Sequence, residues 1–142
     1  MAGVTIEEFH ALMRESLPFA ALFEPEIVKM AAGQVTARMP FRNDFLRPGG
    51  TISGPILMGL ADLVTYAAVL SRIGRVELAV TTSLTINFLK KPPPAPIRAE
   101  GRLLKLGRRL AVGEVELFSE EAEEMVAHVV ATYSIPPHEL SR

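Results

Sequence analysis

The residue best placed to do chemistry in this sequence is Asp62, the single charged side chain in the largely apolar run from residue 56 to residue 70. A carboxylate taken out of water must be paired, hydrogen-bonded or protonated, so its presence there needs a reason. One reason is structural: a salt bridge, or a bond to a nearby backbone amide. The other is a working carboxylate lining a pocket, the kind of site where groups with perturbed ionisation gather. The sequence offers few other reactive groups. Cysteine is absent, which removes disulfides, thiol nucleophiles and sulfur-ligated metals together. The three histidines, His10, His128 and His138, have no ligand spacing, so no metal and no cofactor is expected. His128 alternates with apolar neighbours and reads as structural.

The element that carries Asp62 is a long buried helix. Glycine and small polar residues lead up to Pro55, whose ring fixes a helical φ and whose missing N–H would be unpaired at the first position anyway, with Ser53 or Gly54 at the cap. Arg72 and Gly74 mark the end. A helix apolar on nearly every face must be enclosed by lipid or by protein. Residues 56–70 span roughly 22 Å at 1.5 Å per residue. That is short of a bilayer core of about 30 Å, and the run contains a carboxylate, so protein is the expected surrounding.

The rest of the chain supplies that surrounding. Residues 5–15 place Ile6, Phe9, Leu12 and Met13 at helical spacing behind Thr5, an amphipathic helix at about residues 5–16. Residues 35–39 alternate as a half-buried strand, and 40–50 read as a loop. Residues 78–88 give the clearest strand signal, with Val80, Thr82, Leu84, Ile86 and Phe88 on one face and Thr81, Ser83, Thr85 and Asn87 on the other. The proline-rich stretch 90–96 reads as a hairpin-like connector, followed by strands at 97–104, 109–118 and 125–134, with a tail expected to fray from Pro136. The order predicts an antiparallel α+β domain, one unit over residues 1–142 with its core at about 26–135. With 15 basic against 16 acidic residues, no nucleic-acid or membrane partner is expected. The N-terminal stretch lacks a basic, apolar leader, which points to the cytoplasm.

The segment Gly50-Thr51-Ile52-Ser53-Gly54-Pro55, followed by Leu60-Ala61-Asp62, resembles the PaaI-like acyl-CoA thioesterases of the hotdog fold. Their signature is a His-Gly-Gly turn opening a helix that carries an Asp or Glu further along. The strand motif Thr82 to Asn87-Phe88-Leu89 and the hairpin Leu106-Gly107-Arg108-Arg109 fit the same layout, and the resemblance covers roughly residues 32–135. It implies an antiparallel sheet wrapped around a long central helix. It further implies that the Gly54 amide polarises a thioester carbonyl while Asp62 acts as base or nucleophile. Ser53 stands where the family has its His, and Pro55 where it has its second Gly. Serine can still donate a hydrogen bond but is no acid near neutral pH. A non-catalytic acyl-CoA or lipid-binding hotdog protein is therefore the competing reading.

In this picture Asn43 and Arg47 meet the pantetheine end of the substrate, while Thr65, Tyr66 and Thr82 line the acyl side or orient water. Lys90, Lys91, Lys105, Arg108 and Arg109 fall where the resemblance places the CoA phosphates. Eight residues separate Gly54 from Asp62, about 12 Å along one helix. If both act on one carbonyl they must come from two helices, which predicts a homodimer, or a dimer of dimers, with the site at the interface.

Overall fold

The computed structural model describes residues 3–121 and 123–138. Its organising element is helix α3, Gly54–Ile73, which lies on one face of a six-stranded antiparallel sheet. The sheet comprises β1 Glu26–Ala31, β2 Gln34–Met39, β5 Val80–Phe88, β6 Ile97–Leu106, β7 Leu110–Ser119 and β8 Met125–Ser134, in the order β1-β2-β6-β7-β8-β5. A two-stranded ribbon, β3 Leu46–Arg47 with β4 Thr51–Ile52, leads into the helix. Two further helices, α1 Ile6–Ser16 and α2 Ala20–Phe23, precede the sheet.

Local chemistry explains most of these boundaries. The Thr5 hydroxyl accepts from the Glu8 amide at 3.1 Å, and the Glu8 carboxylate accepts from the Thr5 amide at 2.8 Å, closing a capping box on α1. Phe9, Leu12 and Met13 form the buried stripe of that helix. In α3, Gly54 is the first helical residue and Pro55 the second, one position later than expected. Ser53 has an extended N-cap backbone, yet its side chain makes no capping bond.

The helix fits the sheet closely because the sheet is small-residue where they meet. A Cβ on Gly101 of β6 would stand 2.5 Å from a methyl of Val64, and one on Gly113 of β7 would stand 3.1 Å from a methyl of Thr65. The helix is long and apolar enough to span a membrane by composition, but it is the core helix of the domain and most of it is buried in protein. One stripe is only partly covered: Pro55 and Met58 are exposed, while Gly59, packed against Phe23, and Asp62 and Leu63 are half-buried.

Three features depart from the expected pattern. Residues 26–39 form a hairpin where a strand was expected only at 35–39, turning at Ala32 and Gly33, both at positive φ, which is the geometry of a tight hairpin turn. The proline-rich stretch is no hairpin connector: β5 pairs with β8 and lies at the sheet edge, so the stretch crosses from there to β6 in the interior. The alternation expected in β5 is broken by a bulge between Thr81 and Ser83. Thr81 therefore turns toward the helix and Val80 and Thr82 lie in solvent, while Phe88, past the bulge, stays on the helix side over Gly54 and is only partly covered there. Of the tail expected to fray from Pro136, residues 139–142 lie outside the described residues.

The tight approach at Gly101 yields a direct stability test. Gly101→Ala forces either strand β6 or Val64 to move within a packed core, and overpacking of this kind costs about 1–3 kcal/mol. Thermal unfolding should show a clear fall in Tm, and an unchanged Tm would mean that the helix and sheet are not in this contact.

Candidate active site

Asp62 lies on the incompletely covered stripe of α3, with its carboxylate turned toward the β5–β8 edge of the sheet. Its Oδ1 accepts from the Thr81 hydroxyl at 2.6 Å and from the Tyr133 hydroxyl at 2.8 Å, and the Tyr133 oxygen also lies 3.0 Å from the Asp62 carbonyl. Among the described residues no cation forms an ion pair with Asp62. The structural salt bridge is thus absent, and two neutral hydroxyls hold the carboxylate instead. Burial, and then the negative charge of Asp62, push the Tyr133 hydroxyl well above its ordinary range, so it is a proton donor at neutral pH.

A recess of about 190 Å³ opens beside this carboxylate, lined by Asp62, Leu63, Tyr66, Thr81 and Tyr133, with Leu17 arriving from the N-terminal arm. Tyr66 and Tyr133 stack with centroids 6.0 Å apart and planes at 22°, and Phe9 of α1 packs against Tyr66 at 5.9 Å. The Tyr66 hydroxyl donates to the Glu77 carbonyl at 2.9 Å. Burial first, and the Glu77 charge second, raise its pKa. Thr65 points elsewhere: it is buried, donates to the Ala61 carbonyl at 2.9 Å and packs against Gly113.

A second, larger recess of about 480 Å³ lies at the helix N-terminus, with Gly54, Arg47, Thr51, Phe88, Lys90 and Lys91 in its wall. The first backbone amides of a helix point outward without intrahelical partners and carry the positive end of its dipole, which favours anions. Here Ile56 and Leu57 bond back to the Ser53 carbonyl, Pro55 has no N–H, and the Gly54 amide has no partner among the described residues. Ser53 donates its own amide to the Phe45 carbonyl at 2.8 Å, and its hydroxyl is not engaged by any described residue. Asn43 is exposed in the short 3-10 turn Asn43–Phe45 and is outside the lining of this recess.

The five cations singled out from the sequence form two groups. Lys90 and Lys91 sit beyond Phe88, at the Gly54 end, where Lys90 also pairs with Glu124 at 2.6 Å. Lys105, Arg108 and Arg109 sit around the β6–β7 turn, whose strand residue Leu110 pairs with Ser134, itself opposite Val80. The nine residues of β5 separate the groups, about 26 Å at 3.3 Å per residue. His128 faces away from the helix and contacts Glu114 at 2.8 Å, a bond that is the main reason the Glu114 carboxyl titrates below its ordinary range.

Thr81 and Tyr133 escaped the sequence reading. Thr81 is turned inward only by the bulge, which alternation alone conceals. Tyr133 had a legible signal: it ends the inward series Ala127, Val129, Ala131 of β8, the one hydroxyl in that row.

A family model described as the thioesterase superfamily matches residues 49–126, more than half of the chain. The crystal structure of a Silicibacter sp. TM1040 protein assigned as a thioesterase is 42% identical, with 96% of this chain and 95% of that one covered and a TM-score of 0.86. A variant of the phenylacetic acid degradation protein PaaI from Thermus thermophilus is 26% identical over 84% of this chain and 99% of that one, with a TM-score of 0.74. A thioesterase-type protein from Streptococcus pneumoniae, solved with coenzyme A, shares the fold at 24% identity and a TM-score of 0.77, with 95% and 99% covered. The antiparallel sheet around one long helix is the hotdog architecture, and the chain belongs to the thioesterase superfamily.

Proposed function

We propose that the protein is an acyl-CoA thioesterase in which Asp62 is the base or nucleophile and the Gly54 amide the oxyanion donor. The observation that carries this reading is the carboxylate held by two hydroxyls without a cation, on the same helix whose free first amide opens onto a recess walled by Arg47, Lys90 and Lys91. Hydrolysis of a thioester builds negative charge on its carbonyl oxygen, and a preorganised amide at a helix N-terminus is suited to receive it. Asp62 then takes a proton from the attacking water, or attacks the carbonyl carbon itself to give an anhydride that water opens. In either route the CoA thiolate leaves and the free acid remains. Ser53, with its hydroxyl unengaged, is a second donor toward the same oxygen.

The working unit in this proposal is a homodimer, alone or paired with a second dimer. Gly54 and Asp62 cannot meet on one straight helix, but a two-fold axis running two copies of α3 antiparallel brings Gly54 of one protomer to Asp62 of the other. Two observations support such packing: the uncovered stripe on α3, and edge strand β5, with Val80, Phe88 and Leu89 each more than half exposed. The same axis brings the Lys90 and Lys91 end of one protomer to the Lys105, Arg108 and Arg109 end of the other. Both cation groups then flank one mouth, where the CoA phosphates are held. The thioester end passes Arg47 and Asn43, and the acyl group enters the recess by Leu63 and Tyr66, with Thr82 on the strand beyond. Such a protein works in the cytoplasm, where acyl-CoA is available.

Three measurements test the proposal. A panel of acyl-CoAs, assayed for thiol release, identifies the best substrate, on which Asp62→Asn should lower kcat by about a hundredfold or more while sedimentation shows the same dimer. A folded Asp62→Asn protein with wild-type turnover removes the catalytic role, and wild-type protein that binds acyl-CoAs without turning any over is a binding protein. Charge reversal of Arg108 and Arg109 should raise KM for acyl-CoA and leave short pantetheine thioesters nearly unaffected; an equal loss on both would place the phosphates elsewhere. Ser53→Ala removes no capping bond, so its stability should change by less than the roughly 1 kcal/mol usual for a lost cap. A kcat deficit in a variant with unchanged Tm then reports the hydroxyl's part in catalysis.

A further inference from the structure

The two oxygens of the Asp62 carboxylate have unlike surroundings. Oδ1 receives both the Thr81 and the Tyr133 hydroxyls, whereas among the described residues nothing bonds to Oδ2. We infer that Tyr133, together with Thr81, is a positioning residue: the pair clamps Asp62 Oδ1 so that Oδ2 alone is presented to the reacting centre. The inference rests on the reading of Asp62 as base or nucleophile.

The geometry is built for that task. The terminal torsion of a carboxylate side chain is soft and roughly two-fold, so an unheld Asp62 would exchange its oxygens freely. Thr81 and Tyr133 are direct cross-strand partners on β5 and β8, and they approach the same oxygen from adjacent strands. Thr81 reaches it only because the β5 bulge falls immediately after it; bulges commonly re-aim a side chain beside a functional site. The Tyr133 ring has little freedom to swing. It is only 3% exposed and stacks on Tyr66, which is fixed in turn by the Glu77 carbonyl and by Phe9 of α1. Its hydroxyl is a donor throughout the neutral range, since burial and the neighbouring charge both resist its ionisation. A buried tyrosine needs some partner for its hydroxyl in any case. What a merely satisfied hydroxyl does not require is a second donor on the same oxygen, with the other oxygen left clear.

Tyr133→Phe keeps the ring stack and removes only the clamp. On the best acyl-CoA substrate kcat should fall about tenfold or more, the scale of a lost hydrogen bond to a charged group, with KM within about twofold and the dimer unchanged. Because both changes act through one carboxylate, adding Tyr133→Phe to Asp62→Asn should cause no further loss, whereas independent structural damage would add. Should Tyr133→Phe not fold, Thr81→Val removes the other bond to Oδ1 at a half-exposed position, and the same fall in kcat at constant KM is expected. Wild-type kcat in whichever of these variants folds, or full additivity with Asp62→Asn, overturns the positioning role. An inactive Asp62→Asn beside a fully active Tyr133→Phe rejects the clamp alone, while an active Asp62→Asn rejects the reading on which it stands.

Discussion

A twenty-residue helix that is apolar on almost all sides has to be enclosed, and the architecture of this protein follows from how far one chain can do so. Six antiparallel strands take one side of α3, the N-terminal helices bring Phe9 and Phe23 onto it, and glycines at 101 and 113 let the sheet approach to van der Waals distance. Burial at this density is the main favourable term in folding, worth about 25 cal/mol for each square ångström of apolar surface. The stripe through Pro55 and Met58 is left open, and at its border the sheet reaches Asp62 only through the hydroxyls of Thr81 and Tyr133. An enclosed helix with one open side can keep a carboxylate in a largely apolar setting and still leave it accessible. Asp62 stands at that boundary.

The same helix carries two electrostatic features that would cancel each other's use if they were closer. Its N-terminus offers an unpaired amide and the positive end of a dipole, and its middle carries an acceptor held by neutral donors. A carboxylate in the first turn would be attracted to the helix end and would occupy the place of an anionic ligand. Two turns away, held by Thr81 and Tyr133, it leaves the amide of Gly54 free. Separation along one rigid rod keeps the two groups from neutralising each other, and in the proposed dimer two such rods would bring them together.

The sequence made the local structure readable wherever one residue type has one physical reason to be there. The Thr5 capping box, the Ser53-Gly54-Pro55 entry to α3 and the alternating strands β6 to β8 are of this kind. Asp62 stood out because a lone carboxylate in an apolar run needs a reason. What escaped depended on register and pairing. An Ala32-Gly33 turn lacks the asparagine or aspartate that usually announces a tight hairpin, so β1 went unread before β2. A single added residue in β5 exchanged Thr82 for Thr81 at the site, since side chains alternate with a period of two and one insertion inverts the face. That β5 pairs with β8 rather than β6 depends on contacts between residues as far apart as Val80 and Ser134, which no local pattern encodes.

The bulge also bears on why the site belongs where it is. Without it, Val80, Thr82, Leu84, Ile86 and Phe88 would form one apolar face against the helix, and β5 would be a more regular edge. With it, Val80 turns outward while Thr81 comes under Asp62, and Phe88, beyond the bulge, stays over Gly54 with about half its surface open. The strand thereby gives up packing within its own chain at Val80 and gains one hydroxyl at the carboxylate. Exposed valine and phenylalanine on a free sheet edge are a liability in a lone domain but an asset where a second copy covers them. One inserted residue thus serves two ends at once: it equips the carboxylate with its second donor and leaves apolar surface on the edge by which the other half of the site would be brought in.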